Sequence, residues 1–112
     1  ISSNTGEVNN SAKTGAANLV PIAYGSINGT GTILNAGTGN FSVTWDAGNL
    51  WYLITITGES YHFANYITTV TPIGSANLSS ATTSVGGDLI VTIYSSANTK
   101  VQNSFQFVIF KP

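Results

Sequence analysis

The sequence predicts an all-β domain, a sandwich or barrel of short antiparallel strands, on three observations. Residues 50–58, Leu-Trp-Tyr-Leu-Ile-Thr-Ile-Thr-Gly, are the densest run of β-favouring side chains in the chain and close on a glycine. Gly-rich turns punctuate short apolar runs from residue 19 onward. No apolar stripe at i, i+3, i+4 survives the Gly, Pro and Thr content, so no helix is expected.

Residues 1–18 are Ser, Asn, Thr, Gly and Ala with two charges and no apolar period. They read as a flexible segment or the end of a shaft, and residues 19–112 as the β-domain. Residues 19–27 form the first strand, placed at an edge or broken by Pro21, which lacks an amide donor. A turn at 28–32, a brief strand at 33–34 and a turn at 35–40 follow. Residues 41–45 alternate Phe41, Val43 and Trp45 against Ser42 and Thr44. Asp46-Ala47-Gly48-Asn49 reads as a hairpin loop, so 41–45 should pair antiparallel with 50–57. Side chains alternate faces along a strand, so Leu50, Tyr52, Ile54 and Ile56 share one face and Trp51, Leu53, Thr55 and Thr57 the other. That second face begins apolar, which predicts cover on both sides at its Trp51 end, from a second element or another copy of the chain.

Residues 59–65 connect to a strand at 66–72, which Pro72 and Gly74 end. Residues 76–83 form a short Ser/Thr-rich strand. Gly86-Gly87 turns into a strand at 89–94, where Leu89, Val91 and Ile93 share a face. After a turn at 95–98, residues 101–110 form the closing strand. Phe105, Phe107 and Ile109 line one of its faces, Val108 and Phe110 the other. Ile54, Ile56, Val91, Phe105 and Phe107 are the expected core.

The 112 residues fit one domain, and 42% hydrophobic residues suffice for a core. Charged residues are only 6%, against a usual quarter or so, with no Arg and a net charge of -1. No basic face exists for nucleic acid and no polybasic segment for an anionic membrane. No run approaches the ~20 apolar residues of a membrane helix, so no membrane insertion is expected. Without Cys there is no disulfide, thiolate nucleophile or Cys-based metal site. Residues 1–18 lack the basic and apolar regions of a signal peptide, and a start at Ile1 reads as part of a longer chain.

From residue 39 the order of features is Gly-Asn-Phe-Ser-Val, then Trp-Tyr-Leu-Ile-Thr-Ile-Thr-Gly-Glu, then Tyr-Ile-Thr-Thr-Val-Thr-Pro-Ile-Gly. Next comes Gly-Gly before Leu-Ile-Val-Thr-Ile-Tyr, and the chain closes on Asn-Ser-Phe-Gln-Phe-Val-Ile-Phe-Lys-Pro. Over about two-thirds of its length it resembles the C-terminal head domains of bacterial and phage fibre-like proteins, both tail fibres and collagen-like surface proteins. The resemblance implies an antiparallel β-sandwich, jelly-roll-like, often trimeric and non-enzymatic, that trimerises a shaft or touches a host surface. The location it implies is extracellular, at a cell surface or at a virion or fibre tip. It carries no ligand motif that maps onto residues here.

Few residues offer chemistry. Glu59 and His62, three apart, could ligate a metal or exchange a proton, but a working site needs more groups, and a solvated surface pair is the commoner outcome. Asp46 and Glu59 could act as paired glycosidase carboxylates, although Asp46 also suits the start of a turn. No enzyme, cofactor or metal is expected. Asn28-Gly-Thr30, Asn40-Phe-Ser42 and Asn77-Leu-Ser79 match glycosylation acceptors, as chance allows in so Asn-rich a chain. Tyr61, His62 and Asn65 combine stacking and hydrogen-bonding groups in a loop and are the candidate contacts to a glycan or protein receptor. Trp51, Leu53, Val108 and Phe110, on the second faces of their strands, are the candidate interface of a homotrimer, since an apolar face on a soluble chain needs cover. The alternative is a monomeric carbohydrate-binding module of a secreted protein.

Overall fold

The computed structural model describes residues 20–74 and 76–112. The expected flexible or shaft segment at 1–18 lies outside them. Nine strands run in order: β1 (Ala23–Ile27), β2 (Ile33–Asn35), β3 (Phe41–Asp46), β4 (Trp51–Ile56), β5 (Ile67–Pro72), β6 (Ser79–Val85), β7 (Asp88–Tyr94), β8 (Lys100–Val101) and β9 (Phe105–Phe110). They form two antiparallel sheets: β2-β1-β9-β5, and β3-β4-β7-β6 with β8 on the remaining length of β7. The expected antiparallel β-sandwich is the fold, with no helix among the described residues.

Period-2 alternation builds the interior. β4 turns Tyr52, Ile54 and Ile56 inward, β7 Leu89, Val91 and Ile93, and β9 Phe105, Phe107 and Ile109, all buried. Ala23 and Ile27 of β1 meet them from the first sheet. Gly25 lies between those two, and a Cβ there would stand 2.6 Å from Cζ of Phe41. The bare glycine lets Phe41 cross from the other sheet and meet Phe107 edge to face, with centroids 4.9 Å apart.

Two expectations need correction. Leu50 does not continue the inward row of β4. It sits at φ 58° and is exposed. Asp46 Oδ1 accepts the N–H groups of Gly48 and Asn49, and Leu50 N donates to Asp46 O at 2.8 Å, so the loop sits one residue later than expected, with Asp46 in β3 and Leu50 in the turn. The closing strand is also two strands. Lys100 and Val101 pair with β7 in the second sheet, whereas β9 pairs with β1 and β5 in the first. The break at 102–104 is where the chain crosses the sandwich.

Tyr52 holds that crossing. Its hydroxyl donates to Gly29 O at 2.7 Å and accepts the Asn103 N–H at 3.0 Å, so a second-sheet side chain ties down the β1–β2 turn and the crossover. Its ring packs on Trp45 and Phe105 at 4.7 and 5.0 Å. Burial pushes its pKa up, against the Asn103 hydrogen bond. Tyr52→Phe leaves a buried carbonyl and amide without their partner and should cost about 1–3 kcal/mol, read as a lower urea midpoint with an unchanged far-UV spectrum. Phe107→Ala should cost ~3–5 of the ~5–15 kcal/mol available to a small domain and yield unfolded or insoluble protein.

Candidate functional site

The outer face of the first sheet is concave. Register places Tyr24, Val108 and Thr69 side by side in one row, and Asn35, Ser26, Gln106 and Thr71 in the next. Together they line an open groove of about 380 Å³ whose floor is the backbone of Gly25 and Phe107. Tyr24, 44% exposed, stands at one side. Its backbone is bonded twice to the β2–β3 turn: Tyr24 N donates to Thr38 Oγ1 at 3.1 Å, and Thr38 N donates to Tyr24 O at 3.2 Å. Gly37, at φ 48°, lies so close that a Cβ on it would stand 2.7 Å from Tyr24 Cδ1 and collide with the Tyr24 carbonyl. Only a glycine suits both the conformation and the contact. The turn thus fixes the Tyr24 backbone and lies against one edge of its exposed ring.

The ligand contacts singled out from the sequence fall elsewhere. Tyr61 is buried, stacked on Tyr66 at 4.9 Å and bonded to Thr68 Oγ1, so it offers no ring to a ligand. His62 and Asn65 are exposed in the same loop. His62 stacks on Phe63 at 4.6 Å, and Phe63, 57% exposed, is the aromatic that this loop presents. Glu59 does not pair with His62: it accepts from Tyr66 Oη at 2.7 Å and Lys111 Nζ at 3.1 Å, while His62 Nδ1 accepts the Ala64 N–H. Asp46 closes one end of the β3–β4 ladder and Glu59 lies beyond the other, so the two cannot act as a pair. Among the described residues no three His, Asp or Glu side chains gather as metal ligands.

The four interface candidates divide. Trp51 and Leu53 point out of the second sheet, Val108 and Phe110 out of the first, so the core separates the two pairs. Trp51 has a cover within the chain that the sequence did not reveal. Lys100 Nζ sits 5.4 Å from the centroid of its ring and donates to Asn49 O. Nε1 of Trp51 is nevertheless buried without a hydrogen-bond partner. Beside Leu53, Ile90 is fully buried although it too faces outward. Val108 lines the groove, and Phe110 adjoins Ile67, which is 59% exposed. Sequence reasoning missed the groove. Its only local sign is Gln106, the polar residue between Phe105 and Phe107.

Compared with protein-family models, curated proteins and solved structures, the chain matches none.

The site's electrostatics are sparse. Hydrogen bonds from Asn49, by side chain and then backbone, hold the Asp46 carboxyl below its ordinary range. The Trp51 indole, its cross-strand neighbour, adds a little to that lowering without closing a hydrogen bond of proper geometry. The Tyr66 hydroxyl and then Lys111 lower Glu59, and the same hydrogen bond pushes Tyr66 up to about 12. A lowered carboxyl stabilises the fold above its unfolded value and loses that contribution as pH falls through the folded one. A raised phenol stabilises below its unfolded value and loses that contribution as pH climbs towards the folded one. The Glu59–Tyr66 contribution should therefore hold between the ordinary values of 4.5 and 10.0, fade below that window, and fade above it towards about 12. Melting curves across pH should show Tyr66→Phe losing about 1–3 kcal/mol inside the window and converging on wild type outside it.

Proposed function

We propose that this chain is a non-enzymatic recognition module, a homotrimeric head at the tip of a fibre or surface protein outside the cell or on a virion. It would contact a cell-surface glycan or protein receptor. The observation that carries the reading is a short apolar strip on the outward face of the second sheet, where partly exposed Trp51 and Leu53 lie beside a fully buried Ile90. Contacts between two opposite faces stack copies into an open array, whereas a closed ring of three can turn one face of each copy towards its axis. We assign that role to the face bearing Trp51 and Leu53. Val108 and Phe110, on the opposite face, then stay directed outward. A jelly-roll-like winding belongs to the same reading, supported by the adjacency of β1 and β9 in one sheet.

The concave face of the first sheet favours a second reading, a monomeric carbohydrate-binding module. Light scattering separates the two. A trimer should weigh about three times the chain mass of 11.6 kDa at micromolar concentration. Trp51→Lys would set a second ammonium beside Lys100 within the interface and should reduce that mass to one chain while the fold persists. A monodisperse wild-type monomer would overturn the trimer.

A further inference from the structure

We propose that the groove on the outer face of the first sheet binds a neutral saccharide, with the ring of Tyr24 as the platform for a sugar ring. This deepens the recognition half of the reading above and does not depend on trimerisation.

The lining selects the ligand class. No Asp, Glu, Lys or His borders the groove. A phosphate, sulfate or carboxylate would find no cation to pair with there, and a cationic ligand no carboxylate. A wholly apolar ligand would strip water from polar side chains without replacing their hydrogen bonds. The side chains of Ser26, Thr69, Thr71 and Gln106 make no hydrogen bond to any other described residue, so their capacity is unspent. Asn35 uses its Oδ1 on Gly37 N at 2.9 Å and keeps its amide hydrogens. Hydroxyls and amides both donate and accept, and so do the hydroxyls of a sugar.

Shape and rigidity agree with the chemistry. One row of side chains crosses three strands and the other four, the longer spanning roughly 14 Å at ~4.8 Å per strand, which gives an elongated trough. Tyr24 and Val108 lie next to each other in one row and supply an apolar strip for the C–H face of a pyranose. The polar row alongside meets its hydroxyl edge. Thr38 and Gly37 hold Tyr24 before any ligand arrives, so little conformational freedom is lost on binding.

The test uses the full chain on an array of neutral and acidic oligosaccharides, followed by titration calorimetry with the best neutral member. Binding to neutral members should persist between ~50 and ~500 mM NaCl, because no charge takes part. Tyr24→Ala should weaken it about tenfold or more at an unchanged melting temperature, with Tyr24→Phe close to wild type. Gln106→Ala should weaken it by a smaller factor. Binding confined to acidic glycans, no binding to any neutral saccharide by folded protein, or full affinity in Tyr24→Ala would each overturn the site. So would an oligomer that Gln106→Arg dissociates, since a second copy would then occupy the groove. A wild-type monomer that binds neutral sugar would remove the trimer and leave this site standing.

Discussion

The Tyr52 hydroxyl is the constraint on which the rest of the sandwich depends. It is a fully buried phenol in the second sheet whose two hydrogen bonds reach loops that serve the first. Apolar contacts across a sandwich are non-directional and would tolerate sliding of one sheet over the other. A buried hydroxyl between a carbonyl and an amide does not, because a shift strands polar groups out of reach of water. Asn103 extends the lock, donating from its side chain to the carbonyls of Ile73 and Ser104, so the crossover at 102–104 is fixed to the end of β5 as well. β9 is thereby delivered between β1 and β5, and that placement creates the two rows of the groove.

The groove and the core are two faces of the same strands. Inward, Phe105, Phe107 and Ile109 fill the interior. Outward, Gln106 and Val108 meet Tyr24, Ser26, Thr69 and Thr71. The outward side chains carry little of the fold's stability and are free to carry recognition. The second sheet divides labour differently. Its outward face is covered in part by Lys100 on Trp51, a cation over an aromatic ring reached from the β7–β8 hairpin. An apolar second face on a strand therefore draws part of its cover from within the chain.

Low charge governs how such a surface works. The single ion pair among the described residues, Lys111 with Glu59, is partly exposed and worth little by itself. It matters more as the end of a chain of contacts: Lys111 to Glu59, Glu59 to Tyr66, Tyr66 stacked on Tyr61. That chain draws Tyr61 into the core and leaves His62 and Phe63 outside. A loop that reads as a polar contact site is, at its centre, a structural anchor.

The fold class, nearly every strand and the inward faces of β3, β4, β7 and β9 were legible in the order of residues alone. Tyr52, Ile54 and Ile56 against Trp51, Leu53 and Thr55 is a period-2 pattern, and alternation is a local property that needs no knowledge of neighbours. Composition likewise left few groups for acid–base or metal chemistry. Which strands lie side by side is settled only when the chain folds. Tyr24 and Gln106 are 82 residues apart in the chain, and nothing local tells either that β1 will border β9. The same holds for Lys100 over Trp51, for Tyr61 drawn inward by Tyr66 and Thr68, and for the separation of Trp51 and Leu53 from Val108 and Phe110. Sheet pairing is set by non-local hydrogen bonds and by packing between sheets, so a binding face made of several strands takes shape only once they have assembled.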